Sequence, residues 1–417
     1  MPRPLSNRRQ WRESSHHSWS SQRTLTMQLS ATPAVNSRRG RVVFPVPCSA
    51  CNMLQTSPPR PLASAGRQLR PILGIESSCD ETAAAVLDGE GQVLSNVISS
   101  QVAVHAKFGG VVPELAARAH LGMIDMVVND ALAQSHILKS DLGAVAVTRG
   151  PGLAGALLVG VNYAKALSYG LGIPVIGVNH LEGHIASAWL LDPAFPLPCV
   201  VLVVSGGHTH LYRREADGRC ALLGCTRDDA AGEAFDKGAQ MLGLEFPGGP
   251  AIDRLARQGN PASISFPRFQ QRKSNLEFSF SGLKTSLLYK LREMNTPIGA
   301  EQAADLAAGY QEAIVQVLVA KAFAALAQAG LSALAVVGGV SANSRLRALL
   351  AERAEREGVR LALPPMAYCT DNAAMIASAG RHALLTDGQT IRGLDIQPAL
   401  HSGPIHTTDQ LKEATHS

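Results

Sequence analysis

A chain of 417 residues, 46% hydrophobic and 17% charged, has ample apolar material for packed cores, which excludes an intrinsically disordered chain. The length predicts two or three domains, and no uninterrupted apolar run reaches the ~18 residues of a membrane-spanning helix. The net charge of +5 comes from residues 1–70, which carry eleven Arg and one acid; the remainder has 27 basic and 32 acidic residues. Bulk charge therefore does not mark the folded part as a nucleic-acid binder. Seven scattered cysteines indicate a reducing compartment rather than a disulfide framework.

Residues 1–70 are rich in Arg, Ser and Pro and poor in acids. This composition is typical of an organellar transit peptide, but it fits equally a disordered leader, or sequence upstream of a later start at Met53. The segment lacks the apolar stretch of a secretory signal. Its Cys48 and Cys51 form a CxxC without a second Cys or His pair nearby, so the spacing does not predict a zinc site.

The next part of the chain begins with three short strands joined by tight turns, which predict an antiparallel meander. A helix that begins at a proline follows, and then strand, helix, strand and a helix capped by Asn179. We predict the strands at 72–75, 83–87, 93–98, 144–148 and 174–178, and the helices at 113–133, 154–169 and 179–190.

The pattern then restarts. Strands at 200–204, 208–213 and 221–224 again suggest a meander, and the strand at 334–337 runs into Gly338-Gly339 and a helix through residue 357, as the strand at 144–148 runs into Gly150 and its helix. Between them, 229–242, 282–292 and 300–329 have helical spacing, with a break at Gly309 left open. We predict an α/β protein of two duplicated lobes, 71–195 and 196–402, before a tail at 403–417. The alternative is that such echoes arise by chance in any α/β protein.

The sharpest local feature is His180-Leu-Glu-Gly-His184. Two His four residues apart share one face of a helix, where both imidazoles reach a single metal ion. Asp371, at the start of a later helix, is the candidate third ligand; the alternative is that both His merely cap or pack. A zinc protease is excluded, because Glu182 lies two residues after His180 and points away from both imidazoles, whereas HExxH needs Glu beside the first His.

Glycine-rich turns follow several strands, at Ser205-Gly-Gly207, Gly150-Pro-Gly152 and Gly338-Gly339. Exposed N–H groups in such turns bind phosphates, so the set favours a nucleotide between the lobes, although turns need glycine anyway. Neither GxxxxGK[ST] nor GxGxxG is present. Glu233 and Asp236 are helix neighbours, and spacing favours a surface ion pair with Lys237 over a ribose contact.

Two further turns leave their role open. Asp80 and Glu81 form either a polar hairpin turn or a group of acids near a reacting centre. Asn343 is either an N-cap or a ligand contact. Basic residues from Arg268 to Arg292 (among them Arg272, Lys273, Lys284 and Lys290) either contact RNA phosphates or are ordinary solvated charge.

Nine motifs occur in an order that resembles the TsaD family, the bacterial tRNA adenosine threonylcarbamoyltransferases. They cover about residues 71–400. The motifs are GIESSCDET at 74–82, GGVVPELA at 109–116, GPGL at 150–153, HLEGH at 180–184, VSGGHT at 204–209, DDAAGEAFDK at 228–237, FSFSGLKT at 278–285, GGVSAN at 338–343 and CTDN at 369–372.

The resemblance implies a duplicated actin-like, Hsp70-like ATPase fold, with mixed sheets flanked by helices. It implies transfer of threonylcarbamoyl from threonylcarbamoyl-adenylate to N6 of adenosine 37 in tRNAs reading codons that begin with A, with release of AMP. His180, His184 and Asp371 match the ligands of one divalent metal, most often Fe²⁺, with zinc as the alternative. Positions that bind substrate or nucleotide match Val203, Val204, Ser205, Gly206, Gly207, Asp236, Gly249, Asp253 and Asn343.

The implied partners, besides tRNA and the adenylate, are the inactive paralogue TsaB, the small ATPase TsaE and an upstream synthase; no membrane is implied. The bacterial form of the motifs favours the cytoplasm, and a mitochondrion or plastid is the alternative if residues 1–70 are a transit peptide. Two other functions stay open: an actin-like ATPase or sugar-kinase-like phosphotransferase, and a non-catalytic scaffold in a tRNA-modification complex.

Overall fold

The first strand, β1 (Ile72–Glu76), is buried on both faces, as its uninterrupted apolar run requires. It pairs antiparallel with β2 (Glu81–Leu87), which pairs with β3 (Val93–Ser100), so the predicted meander is confirmed. On its other side β1 lies parallel to β4 (Ala144–Gly150), and β4 lies parallel to β5 (Val175–Asn179). The first sheet therefore has the order β3-β2-β1-β4-β5.

The second sheet repeats this plan. Strand β6 (Cys199–Val204) is the central buried strand, and β7 (Thr209–Arg214) and β8 (Cys220–Cys225) complete a second meander beside it. Strands β9 (Ala333–Val337) and β10 (Arg360–Ala362) extend the sheet in parallel, giving the order β10-β9-β6-β7-β8. The same succession of strands in both sheets confirms the predicted duplication and the α/β class.

A computed structural model describes residues 69–190, 192–267, 275–294, 298–386 and 394–399, which all belong to one compact unit. The CxxC at Cys48 and Cys51, the basic residues Arg268, Arg272 and Lys273, and the tail at 403–417 lie outside them. The described helices are α1 (Val102–His105), α2 (Pro113–Ser135), α3 (Ala154–Leu171), α4 (His180–Ala186), α5 (Ala231–Met241), α6 (Gly248–Ala256), α7 (Ser281–Glu293), α8 (Ala300–Ala329), α9 (Ser344–Glu357) and α10 (Ala373–Thr386). Single 3₁₀ turns lie at Ala106–Phe108, Lys139–Asp141, Ser187–Trp189, Gly339–Ala342 and Met366–Tyr368.

Helix α8 is continuous through Gly309, so the break left open by the sequence does not occur. A Cβ at Gly309 would lie 2.1 Å from the Ile264 carbonyl oxygen, so glycine serves close packing here rather than a helix end. Among the described helices α8 is long and apolar enough to cross a membrane by length and composition, but 67% of its apolar window is buried in the protein. Its apolar character is explained by its place in the core of the second lobe.

Helix α10 returns to the first lobe, although the sequence places residues 196–402 in the second. Its apolar residues pack on one face of the first sheet, together with β1, β2 and β4. The approach is close, because a Cβ at Gly74 in β1 would lie 2.3 Å from the Ala373 carbonyl oxygen. The segment that follows also joins the first lobe, where the Gln397 N–H donates to the Arg149 carbonyl oxygen at 2.7 Å.

Candidate metal centre and substrate cleft

Helix α4 begins where β5 ends, and it presents both candidate His residues. The Asn179 side chain caps the helix by accepting the Leu181 N–H at 2.8 Å. The cap fixes the first turn, so His180 and His184 lie one above the other on the same face. Both imidazoles are buried, with ring centroids 4.7 Å apart and planes crossing at 80°.

Asp371 comes to the same point from the loop before α10. Asn372 holds that loop by accepting the Met375 N–H at 3.1 Å, and α10 packs against α4. One carboxylate oxygen, Asp371 Oδ1, lies 3.4 Å from His180 Nε2 and 3.2 Å from His184 Nε2. The structure therefore brings together the three residues that the sequence nominated as metal ligands.

These three residues fit a divalent metal ion. One ligand atom from each lies within 4.8 Å of the others, and ligands about 2.1 Å from a shared ion lie roughly 3.4 Å apart. Although His184 Nε2 is within ion-pair distance of Asp371, neither nitrogen of this buried ring makes a hydrogen bond among the described residues. A buried polar group left in this way is destabilising unless a ligand completes it.

Glu76, at the end of β1, positions His180, and the sequence analysis did not single it out. Its fully buried carboxylate oxygen Oε2 lies 3.1 Å from His180 Nδ1 and accepts the Thr148 hydroxyl at 2.6 Å, while Oε1 accepts the Ser78 N–H at 2.5 Å. A carboxylate at Nδ1 favours the proton there, which leaves the Nε2 lone pair directed at the ion site. In the sequence, Glu76 could be noticed only as an acidic residue at the end of the apolar strand β1.

The pKa values in this cluster reflect its charges. Burial lowers the pKa of His180, but the Asp371 and Glu76 carboxylates outweigh burial and raise the pKa well above its ordinary value. Burial raises the pKa of Asp371, yet His180 and His184 hold it well below the usual range. The group is thus strongly polar in a water-poor site, which is the environment of a metal ligand set.

The β1–β2 turn places more acids beside this cluster. Burial, reinforced by Asp371 and Asp80, raises the pKa of Glu81 to about 10. Burial also raises the pKa of the Cys79 thiol, and Asp80 adds to the effect. Cys79 therefore stays a neutral thiol and is a poor nucleophile.

The turn between β6 and β7 carries the predicted SGG segment. Val203 and Val204 are fully buried, so they offer only backbone to a ligand. A Cβ at Gly206 or Gly207 would meet no atom within 4 Å, so this turn presents open backbone. The N-terminus of α5 lies beneath the turn, where the Gly232 N–H donates to the Ser205 carbonyl oxygen at 3.2 Å.

The metal-ligand cluster and the SGG turn face each other between the lobes. Leu181 and Ile185 of α4 pack on Val201 and Val203 of β6. His208, directly after the turn, has its pKa lowered to about 3 by burial, by His210 and by the two His of α4. The packing of α4 on β6 brings the metal-ligand cluster to the boundary between the two sheets.

Two other predicted substrate residues meet at the start of α6. Asp236 of α5 accepts the Gly248 N–H at 2.7 Å, and burial raises its pKa although the Gly248 and Gly249 N–H groups oppose the shift. Gly249 has open space where a Cβ would be. Lys237 instead pairs with Asp229 and Glu233, each at 2.8 Å, which confirms the predicted surface ion pair.

Asp253 and Asn343 lie further into the second lobe, with their side chains already engaged. Asn343 caps α9 by accepting the Leu346 N–H at 2.9 Å and donates to Gln311 at 2.6 Å. Asp253 accepts the Ser344 hydroxyl at 2.7 Å and pairs with Arg257 at 2.6 Å. These contacts tie α6, α8 and α9 together behind the cleft, so both residues shape it through the backbone they hold.

The Gly338-Gly339 turn completes this side of the cleft. Gly338 has a φ of 93°, and a Cβ there would lie 2.4 Å from the Val204 carbonyl oxygen. Only glycine combines this backbone conformation with such an approach to the SGG turn. The predicted substrate residues therefore all belong to the second lobe, opposite the metal ligands.

Comparison with known proteins identifies the family of the chain. The family model "TsaD: tRNA N6-adenosine threonylcarbamoyltransferase" matches residues 92–378. A tRNA N6-adenosine threonylcarbamoyltransferase of Anaeromyxobacter dehalogenans is 55% identical over 79% of this chain and 98% of its own length, and one of Syntrophotalea carbinolica is 51% identical over 76% and 93%. Full-length HypF, a solved structure, superposes with a TM-score of 0.52 at 14% identity, over 78% of this chain and 57% of HypF.

The likeness to HypF concerns the fold alone, which is the duplicated actin-like, Hsp70-like ATPase fold. The curated relatives are matched over nearly their whole length. This protein is a transferase that belongs to the TsaD family of tRNA N6-adenosine threonylcarbamoyltransferases.

Proposed function

We propose that the chain transfers threonylcarbamoyl from threonylcarbamoyl-adenylate to N6 of adenosine 37 in tRNAs reading codons that begin with A, and releases AMP. The acyl carbon of such a mixed anhydride is already activated, and the N6 amine is the nucleophile. The reaction therefore needs no Ser or Cys nucleophile, in keeping with the raised pKa of Cys79. The observation that carries the proposal is the convergence of His180, His184 and Asp371 opposite the SGG turn.

The same proposal assigns one divalent metal ion per chain to His180, His184 and Asp371, with Fe²⁺ as the first choice and zinc as the second. Two imidazoles and one carboxylate, with positions left open, are a donor set common to non-haem Fe(II) and catalytic zinc. When bound, the ion would supply a Lewis acid for carbamoyl or phosphate oxygens. Glu76 holds the His180 ring in orientation for it.

The second lobe binds the adenylate in this proposal. The open backbone at Gly206 and Gly207 is suited to the phosphate or to developing negative charge on the acyl oxygen. Asp236 and the N-terminus of α6 at Gly249 would meet hydroxyl groups of the nucleotide, since Asp236 already accepts the Gly248 N–H and Gly249 has open space where a Cβ would be. Val203, Val204 and Ser205 hold the turn in place, and Asp253 and Asn343 support it from behind.

The test is mass spectrometry of tRNA nucleosides after the purified chain, loaded with Fe²⁺, is incubated with tRNA and threonylcarbamoyl-adenylate. Modified adenosine at position 37 is expected, and its absence with every partner supplied would contradict the proposal. His184→Ala should lose both metal and product while keeping its circular dichroism spectrum. The matched control is His136→Asn, which removes an exposed imidazole at a left-handed position that Asn tolerates.

We infer that the inactive paralogue TsaB, the ATPase TsaE and an upstream synthase serve the same pathway, as the resemblance implies. Support for a protein partner comes from α2 and α3, which pack side by side and expose Leu121, Met126 and Tyr169 to 72%, 57% and 80%. We propose that the surface of α2 and α3 around these residues contacts the paralogue. Leu121→Asp should abolish co-elution with the purified paralogue, whereas Leu138→Asp, at an exposed site outside these helices, should not.

We also propose that the protein works in the cytoplasm, with a mitochondrion or plastid as the alternative. Within the described residues Cys79, Cys199, Cys220, Cys225 and Cys369 are free thiols, which suits a reducing compartment. A fluorescent fusion of the full chain, compared with a fusion lacking residues 1–68, distinguishes the two. Organellar import that depends on residues 1–68 would contradict the cytoplasmic proposal.

A further inference from the structure

The segment between β3 and α2, residues 101–112, lies beside the candidate metal centre, and the proposed transfer gives it no role. Strands β1 and β3 run in the same direction, because both pair antiparallel with β2. Glu76 of β1 and Ile98 of β3 both pair with Ala83, so they lie at one level of the sheet, about 10 Å apart. This segment, the rim loop, therefore begins at the sheet edge where Glu76 reaches His180.

The rim loop has a fixed shape against the β1–β2 turn. The Gln101 N–H donates to the Asp80 carbonyl oxygen at 2.9 Å. His105 is fully buried and joins the two ends of the loop, since its Nδ1 accepts the Val112 N–H at 3.3 Å and its Nε2 lies 3.1 Å from Gln101 Oε1. The loop is thus held against the turn that lies next to the metal-ligand cluster.

On this fixed frame the rim loop exposes an aromatic ring. Phe108 is 60% exposed, and Val104, four residues earlier, is 44% exposed. Lys107 is also exposed, and it is the one Lys or Arg between residues 101 and 112. Gly109 follows the ring with a φ of 68°, and a Cβ at Gly109 or Gly110 would meet no atom within 4 Å. The loop therefore presents an aromatic face followed by open backbone.

The substrate of the family offers a partner for this face. The family acts on adenosine in tRNA, and in the proposed function that adenosine lies in the single-stranded anticodon loop. Bases of single-stranded RNA stack on exposed aromatic side chains, a contact that needs a π face rather than a charge. Asp80 and Glu81, beside the rim loop, would repel a phosphate but do not oppose a neutral base. An aromatic ring is therefore better suited than a cation to hold RNA here.

We propose that Phe108 is a base-stacking residue for the tRNA substrate, whose ring packs on the base of a nucleotide next to the acceptor adenosine. Lys107 binds a phosphate of the same strand. This inference rests on the proposed function, because it needs the anticodon loop in the interlobe gap. The contact holds RNA without touching the reacting atoms, so its loss raises KM for tRNA and leaves kcat nearly unchanged.

The first test measures RNA binding without transfer. The full chain is titrated, in the absence of threonylcarbamoyl-adenylate, into a fluorescein-labelled anticodon stem-loop, and fluorescence anisotropy gives the affinity. Phe108→Ala should weaken binding about 10-fold or more, the value of one stacked base, whereas Phe108→Trp should bind at least as tightly as the parent chain. Lys107→Gln should reduce the slope of log affinity against log salt concentration by about 0.7.

The matched control is Leu138→Ala, which should leave the affinity and its salt dependence unchanged. Leu138 is 69% exposed, so this variant also removes a large apolar side chain from the surface. It lies between α2 and the start of β4, and β4 runs parallel to β1. Leu138 is therefore at the sheet edge opposite the rim loop.

The second test locates the contact. Two stem-loops carry 5-iodouridine, one directly before and one directly after the acceptor adenosine, because ultraviolet light cross-links this base to an aromatic ring stacked on it. Mass spectrometry should find Phe108 of the parent chain attached to one of the two RNAs. This readout needs no variant, so it is decisive even if Phe108→Ala fails to fold.

Three results would overturn the proposal: no stem-loop binding by the parent chain, equal affinity in folded Phe108→Ala, or no cross-link at Phe108 from either RNA. Loss of co-elution with the purified paralogue at unchanged RNA affinity would also overturn it, because the ring would then serve a protein contact. Failure of the proposed function gives a different result. The stem-loop would bind and cross-link at Phe108, but no modified adenosine would form with metal and adenylate supplied.

Discussion

Replacing Glu76 by Gln should loosen the metal site without touching a metal ligand. Oε2 of Glu76 receives the Thr148 hydroxyl at 2.6 Å and faces His180 Nδ1 at 3.1 Å, and Oε1 receives the Ser78 N–H at 2.5 Å. Every neighbour of this carboxylate therefore donates. An amide NH₂ at the Oε1 position meets the Ser78 N–H, and one at the Oε2 position meets His180 Nδ1. The ring therefore either loses its acceptor or keeps only a neutral, weaker one.

The expected loss is 10- to 100-fold in metal affinity, which corresponds to about 1.4–2.8 kcal/mol. Competition titration against a chromophoric chelator, with Zn²⁺ in air and Fe²⁺ under anaerobic conditions, measures the affinity directly. The product yield per bound ion, measured at saturating metal, should fall less than the affinity. Glu114→Gln is the control, because it neutralises an exposed acid in the first turn of α2.

An affinity of Glu76→Gln equal to that of Glu114→Gln and of the parent chain would refute this reasoning. It would mean that α4 alone orients His180, through the Asn179 cap and the packing of Leu181. A large loss of affinity in a variant with an unchanged unfolding midpoint supports the positioning role, since general destabilisation would lower both.

Three further predictions concern the frame around the site. Gly338→Ala combines a φ of 93° with a Cβ 2.4 Å from the Val204 carbonyl oxygen, so it should cost about 1–3 kcal/mol in urea unfolding and weaken adenylate binding. Asp228 accepts from Phe280 N–H and the Ser281 hydroxyl at the start of α7; burial raises its pKa, but these bonds outweigh burial and lower it. Asp228→Ala should therefore cost about 0.5 kcal/mol at neutral pH for this exposed group, and the difference should shrink as pH falls through the lowered pKa of Asp228. Deleting residues 1–70 should leave the initial transfer rate unchanged, and a large loss would assign this N-terminal segment a role.

Local pattern was enough for much of the framework. Strands β1 and β6 are continuous apolar runs ending in polar turns, so their positions and the repeated meander followed directly from residue type. The spacing of His180 and His184 likewise fixed their common face. Pattern could not locate Glu76 as a positioning residue, because its partnership with His180 spans 104 residues and depends on which strand ends lie beside α4.

The packing of α10 could not be predicted from the sequence either, because it too joins segments that are far apart in the chain. Helix α10 follows the second lobe in the chain but packs on the first sheet, and only Gly74 and Gly380, small enough to admit it, hinted at the contact. The glycine at 309 looked like a helix break, whereas it lets Ile264 approach α8. At Gly74 and at Gly309, glycine is needed because a segment distant in sequence packs against it. The sequence alone does not show which segment that is.

Because α10 returns to the first lobe, the candidate metal ligands and the candidate nucleotide-binding residues lie on different lobes. The loop before α10 and helix α4 both belong to the lobe of the first sheet. The SGG turn, Asp236 and Gly249 belong to the lobe of the second sheet. In the proposed function, an opening between the sheets would widen the gap over the nucleotide, while His180, His184 and Asp371 would keep their mutual spacing. Under the proposed function, the nucleotide would then exchange without loss of the proposed metal ion, and one loading with metal would serve many turnovers.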